Sequence, residues 1–254
     1  MFDAGLTEYV DYPVHLARLK WIWETIQRHH RQDRIVRILD IGCGTGNITI
    51  PLGAIPNSEV LGIDIHNPTL DIARQRNPLP NVEFRYQQLE ACNISKFDIL
   101  VMTEVLEHIA PYQQILAYLG RNMKPEALFL LTIPNGWGPF EMSQTPVYML
   151  RCLGMDAWVS RVKQWIGKVE PYSQNYDTPH VNFFSRSRII WELRHQGLEI
   201  REIHNAFVFL PIIETYLPGL KVPQAMIRFD TDLARFLPGS LVSGWYFLVR
   251  PVCT

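Results

Sequence analysis

The stretch Ile38-Leu39-Asp40-Ile41-Gly42-Cys43-Gly44-Thr45-Gly46-Asn47 decides how this chain is read. Residues 35–41 are short, apolar and rich in β-branched side chains, the pattern of a buried strand, and they run straight into glycines at alternate positions. Glycine lets the backbone turn tightly there and approach a ligand without obstruction by a Cβ. The helix expected from Asn47 onward would turn its free N–H groups toward that ligand. A second strand over residues 60–65 carries Asp64, 18 residues after Gly46, where a carboxylate can accept both hydroxyls of a ribose. Spacing then separates the nucleoside ligands. A dinucleotide fingerprint needs glycine at position 47, which is Asn47, and no lysine follows the glycines as a triphosphate loop requires.

Working outward, apolar periodicity predicts a helix over 14–30 and, after the second strand, a helix over 68–76. Further strands are expected over 82–86, 97–102 and 127–133, with a helix over 104–122 between the last two. A helix over 186–196 follows, closed by Gly197, then late strands over 198–210 and 245–249 with a short helical stretch at 230–236 between them. Strands alternating with helices imply crossover connections and a mostly parallel sheet. Residues 134–182 are loosely patterned, Pro-broken and aromatic. The expected organisation is an N-terminal helical segment over 1–34 covering the ligand site, a core made of 35–137 and 180–254, and a helical and loop insertion over 138–179 as substrate lid. The aromatic residues of that region are Trp137, Phe140, Tyr148, Trp158, Trp165, Tyr172 and Tyr176.

Composition narrows the class. The 254 residues are 47% hydrophobic and 19% charged, which is globular. A formal charge of −1 argues against a general electrostatic grip on nucleic acid. Cys43, Cys92, Cys152 and Cys253 lie far apart with no CxxC pair, so neither a zinc site nor a disulfide framework is supported. Met1–Tyr12 lacks the basic region of a secretory signal, and the longest uncharged runs are cut by Pro and Gly before they reach spanning length. A soluble, cytoplasmic protein is expected, with no transmembrane segment and with room for peripheral membrane contact through its aromatic insertion.

Ile38–Gly46 resembles motif I of the class I S-adenosylmethionine-dependent methyltransferases. Gly62-Ile63-Asp64, Phe97-Asp98-Ile99-Leu100, Glu104-Val105-Leu106-Glu107-His108 and Leu130-Leu131-Thr132-Ile133-Pro134-Asn135 match further motifs in the family's order. His180–Ser185 and Gly197-Leu198 extend the similarity. The resemblance implies an α/β, Rossmann-like, doubly wound seven-stranded sheet with an antiparallel final hairpin, and S-adenosyl-L-methionine as cofactor. It places Asp40 beside the methionine amino group and lines the cofactor with Gly42, Cys43, Gly44, Gly46, Asn47 and Thr103. Asp64 would hold the ribose hydroxyls and Ile65 would pack beside the adenine. Gln88 stands where relatives have an acidic contact to the adenine amino group. Lys124-Pro125-Glu126-Ala127 departs from the usual Lys-Pro-Gly-Gly, in a turn remote from the cofactor end of the sheet.

Methyl transfer from a sulfonium is an in-line displacement that depends on alignment, and a hydroxyl nucleophile gains about 10²–10⁴-fold from a general base. The candidates are His180, at the end of the insertion, and His108, in the Glu107-His108 pair. The remaining histidines, His15 among them, default to the surface. No metal-ligating set stands out in the sequence. The expected activity is transfer of a methyl group to a small-molecule hydroxyl on a sugar, phenol or quinone-like acceptor. The rivals are a non-catalytic S-adenosylmethionine-binding module and a protein or RNA methyltransferase. RNA is disfavoured by the charge balance and by the absence of an Asn/Asp-Pro-Pro-Tyr tetrapeptide after the fifth strand.

Overall fold

A computed structural model describes residues 13–29, 33–152, 154–155, 161, 180–217, 220 and 222–252. Its centre is strand β1 (Val36–Ile41), flanked in parallel by β2 (Ser58–Asp64) and β4 (Ile99–Thr103). With β3 (Val82–Tyr86), β5 (Leu128–Pro134), β6 (Leu198–Asn205) and β7 (Gly244–Pro251) these form one seven-stranded sheet ordered β3-β2-β1-β4-β5-β7-β6. Only β7 runs antiparallel, to both β5 and β6. The expected doubly wound sheet with a final antiparallel hairpin is therefore what forms. The order reverses between β1 and β4, and in such sheets ligands bind outside the carboxyl ends of the strands at that switch.

Period-two alternation divides the strand residues between two cores. On one face Ile38, Val60, Val101 and Leu130 pack with Leu19, Ile22 and Ile26 of α1 (Pro13–His29), Ile50 of α2 (Thr49–Leu52) and Leu70 of α3 (Asn67–Arg76). On the other, Leu39, Leu100, Phe129 and Phe247 pack with Leu116 and Leu119 of α4 (Tyr112–Asn122) and Ile189 and Leu193 of α6 (Arg186–His195). Both cores are almost wholly withdrawn from water, and the seven strands are fixed in register by them.

Several elements differ from the sequence reading. The helix expected over 104–122 is broken: residues 106–108 make a single 3₁₀ turn and α4 starts only at Tyr112. Pro111 explains the break, because it donates no N–H and disfavours helix at the residue before it. The helix expected from Asn47 is the single turn α2, ended at Gly53. Strand β6 stops at Asn205, well short of 210. The chain turns there because buried Asp230 accepts the N–H groups of Val208 and Phe209 at 3.0 and 2.8 Å. It then enters α7 (Leu210–Tyr216), and the short helical stretch at 230–236 is the end of a longer α8 (Gln224–Phe236). Within the insertion, expected to mix helix and loop, residues 139–152 form helix α5 (Pro139–Cys152). Trp158, Trp165, Tyr172, Tyr176 and most of the insertion lie outside the described residues, as does 1–12. No described helix is long and apolar enough to cross a membrane.

Candidate active site

All three glycines of the loop after β1 take left-handed backbone angles, with φ of +71° at Gly42, +52° at Gly44 and +80° at Gly46. Side chains with a Cβ rarely adopt these angles. The loop is also closely packed: a Cβ on Gly42 would stand 2.5 Å from a methyl of Val105, and one on Gly46 would stand 2.9 Å from the Phe84 ring. The first of these contacts seats the turn after β4 directly against the loop. Gly62 packs similarly, with Sγ of Cys43 2.9 Å from where a Cβ would be.

Two carboxylates face this loop. Asp40 is 2% exposed and accepts a 2.6 Å hydrogen bond from Thr49 Oγ1. Burial, opposed by that hydrogen bond and assisted by the charge of Asp64, pushes its carboxyl up to about 7. Asp64, at the end of β2, accepts the N–H of Gly44 at 2.8 Å through Oδ2 and the N–H of His66 at 2.9 Å through Oδ1. Each oxygen keeps a lone pair for a further donor. Ile65 is 64% exposed at the same strand end, Gln88 is exposed, and Thr103 and Asn47 are half-buried. The Asn47 side chain is held by Arg76 at 2.8 Å.

A second group of polar side chains lies across the turn after β4. Glu104 has φ +52°, an angle costly outside glycine and common where a side chain must be aimed. It accepts the Thr132 hydroxyl at 2.8 Å and pairs with Arg18 of α1 at 3.3 Å. Glu107 is fully buried, and neither of its carboxylate oxygens has a hydrogen-bond partner among the described residues. Burial, then the charge of Glu104, holds its pKa far above the usual carboxylate range, so the neutral acid is favoured.

His180 reaches this turn because the segment after it is stitched there by backbone and side chain. The N–H groups of Val181 and Asn182 both donate to the Glu107 carbonyl at 3.0 Å. Asn182 Nδ2 donates to the carbonyls of Leu106 and Ile109 at 3.3 and 2.7 Å. The rings of His180 and His108 consequently stand edge-on, 4.9 Å apart. His180 Nδ1 lies 2.9 Å from Oε1 of Glu141, in the first turn of α5. Burial opposes the imidazolium, but the Glu141 contact and the charges of Glu141 and Glu104 outweigh it, so the His180 pKa lies above its ordinary value.

The structure thus brings both sequence-selected histidines together and adds partners that the sequence did not single out. Ligand atoms of Glu107, His108 and His180 all lie within 4.8 Å of one another, a span that one cation could bridge. That corrects the expectation that no such set forms, since residues 107–108 and 180 are joined only by the tertiary fold. Glu141 carried no signal in the sequence. His15, expected at the surface, is half-buried on α1 beside Arg18, and its partial burial and the Arg18 charge push its pKa down to about 3.

The profile of the methyltransferase domain family matches residues 16–203. The chain belongs to that family. It is a class I S-adenosylmethionine-dependent methyltransferase, and S-adenosyl-L-methionine is its cofactor. Among curated proteins it is similar to the ubiquinone biosynthesis O-methyltransferase of Rickettsia canadensis, with 28% identity over 194 residues, 75% of this chain and 74% of that protein. Its similarity to the Rickettsia akari protein of the same name is 32% over 126 residues, 48% of this chain and 50% of that protein. The chain therefore spans about half the length of most of the curated relatives it matches. Among solved structures, a TehB-like S-adenosylmethionine-dependent methyltransferase from Corynebacterium glutamicum superposes with a TM-score of 0.51 at 17% identity, covering 96% of this chain and 89% of that one. Magnesium protoporphyrin IX methyltransferase from Synechocystis gives 0.54 at 15% identity, covering 93% and 84%. These likenesses concern the fold.

The methyltransferase's own residues fit its cofactor. The left-handed glycines expose backbone without a Cβ along the loop, and buried Asp40, which retains its proton to about pH 7, has no cationic partner among the described residues, the place that an ammonium or sulfonium would take.

Proposed function

We propose that this methyltransferase acts on a hydroxyl of a phenol or quinol-like small molecule, with His180 as general base. The observation that carries the reading is the docking of His180 on the 106–109 turn, because Val105 of that turn packs on Gly42 of the cofactor loop. That turn links His180 to the cofactor loop, which supports its reading as the base. The names of the curated relatives support O-transfer to a ring of the ubiquinone type.

The cofactor supplies an electrophilic methyl on a sulfonium whose departing electrons go to sulfur. Asp40 would bind the cationic end of the methionine portion, and Asp64 would accept the ribose hydroxyls through the lone pairs that Gly44 and His66 leave free. Gly42, Cys43, Gly44 and Gly46 pass their backbone beside it, with Asn47, Thr103, Ile65 and Gln88 at the rim. His180 would accept the proton of the acceptor hydroxyl as that oxygen is methylated, leaving the proton on the imidazole. His108, edge-on at 4.9 Å, walls the imidazole on one side. Neutral Glu107 beneath them adds no competing negative charge at the reacting oxygen.

The test is methyl transfer from isotopically labelled S-adenosylmethionine to a panel containing prenylated catechols, simple phenols, sugars, total tRNA and a protein extract. Label on a phenolic oxygen of the catechols is the expected result. Label confined to sugar, tRNA or protein would overturn the acceptor assignment.

A further inference from the structure

We propose that Glu141 is the positioning residue of His180, holding Nδ1 against its carboxylate so that Nε2 is the nitrogen offered to the acceptor. The inference rests on the reading of His180 as base. The two residues come from separate parts of the chain, Glu141 from the first turn of α5 and His180 from the segment bound to the turn after β4. Their Nδ1–Oε1 separation is 2.9 Å. The Glu141 side chain is 3% exposed, and neither of its oxygens has an aligned hydrogen-bond partner among the described residues, so its 2.9 Å approach to His180 is a close ion-pair contact. A carboxylate stripped of water is tolerated only where an opposite charge or a donor meets it, and here His180 is what meets it.

The consequence falls on the histidine. A neutral imidazole carries its proton on one nitrogen, and the hydrogen bond made by one nitrogen fixes which it is. With Nδ1 committed to Glu141, the lone pair sits on Nε2. The ring is further confined by His108 at 4.9 Å and Phe183 at 6.4 Å, both in edge-on contact. Among the described residues Glu141 makes no ion pair or side-chain hydrogen bond with the groups assigned to the cofactor; its charge acts on His180 and, more weakly, on buried Glu107.

The experiment uses the full chain with S-adenosylmethionine bound, ¹⁵N-labelled at histidine, as wild type and as Glu141→Ala, Glu141→Gln, Glu141→Asp and His180→Gln. Imidazole ¹⁵N shifts report the tautomer without any acceptor, and turnover of a prenylated catechol reports kcat and KM. The expected wild-type signature is Nδ1–H hydrogen-bonded to carboxylate. Glu141→Ala should lose that signature and about 100-fold in kcat, with KM and cofactor Kd within about twofold, while Glu141→Asp recovers part of both. Glu141→Gln keeps the shape and an acceptor oxygen, so it serves where the alanine variant does not fold. An unchanged tautomer in folded Glu141→Ala, or a carboxylate-bonded ¹⁵N shift that persists in folded Glu141→Gln, overturns the inference, whatever the rate. Activity that EDTA removes and Mg²⁺ restores in the wild type also overturns it, since His180 would then be a metal ligand. An inactive His180→Gln beside a fully active Glu141→Ala defeats the positioning role alone. An active His180→Gln defeats the base reading itself.

Discussion

Asp64 Oδ2 accepts a 2.8 Å hydrogen bond from the backbone N–H of Gly44, tying the end of β2 to the apex of the cofactor loop. The carboxylate therefore shapes the loop and also offers acceptors to a ribose. Asp64→Ala removes both functions and leaves the Gly44 N–H and the ribose hydroxyls unpaired, a loss of roughly 1–3 kcal/mol in cofactor binding. Calorimetric titration with S-adenosylmethionine should show the matching rise in Kd, and an unchanged Kd in a folded variant would remove Asp64 from the site.

Asp40 is held protonated to about pH 7 by burial. Between its unfolded pKa of about 3.9 and that value, the folded chain keeps a proton that the unfolded chain has lost, so stability falls as pH rises through the window. Asp40→Asn should therefore raise the Tm of the cofactor-free protein at pH 8, by about 5 °C, and still weaken cofactor binding. In the wild type a cationic ligand favours the ionised carboxyl, so affinity should drop by up to about tenfold per unit as pH is lowered below 7. Melting curves and titrations at pH 6 and 8 decide both points. A pH-independent Kd would show that Asp40 does not meet the cation.

Gly42 has φ +71° and a methyl of Val105 at 2.5 Å from the place of its missing Cβ. Gly42→Val should cost roughly 1–3 kcal/mol from the backbone angle and more from displacement of Val105, which carries the 104–108 turn. The expected outcome is weaker cofactor binding and lower kcat together. A variant that binds normally but turns over slowly would place the damage at the turn alone.

His180 retains its proton above the ordinary imidazole value because Glu141 and Glu104 outweigh burial. As a base it works when neutral, so kcat should rise with pH through a midpoint above about 6.5. His180→Gln should lower kcat about 10²-fold or more with cofactor affinity intact and abolish that limb. If KM rises and kcat holds, the residue binds the acceptor and His108 inherits the role of base.

How much of this was legible before folding differs from residue to residue. Asp40, the alternating glycines and Asp64 were readable because strand, loop and strand end are local features with fixed chemistry; strand–helix alternation pointed to a mostly parallel sheet, and the family resemblance to its seven strands and final antiparallel hairpin. The break before α4 was also present in the sequence, at Pro111, but the apolar period of residues 112–122 masked it. The early stop of β6 was not legible. It depends on Asp230 capping the backbone at 208–209, a hydrogen bond across 22 positions of the chain.

By itself, then, the sequence determined the sheet, the cofactor loop and the family, because hydrophobic period, glycine conformation and a carboxylate at a strand end act over a few neighbouring residues. Only the tertiary structure decided the catalytic surroundings. Glu141, Glu107, His108 and His180 meet because the 180–182 backbone is bonded to the 106–109 turn and α5 folds back over it. The burial of Glu107 and the orientation of His180 arise from that meeting. Electrostatic energies depend on distance and on exclusion of water, and neither quantity exists until the chain has folded.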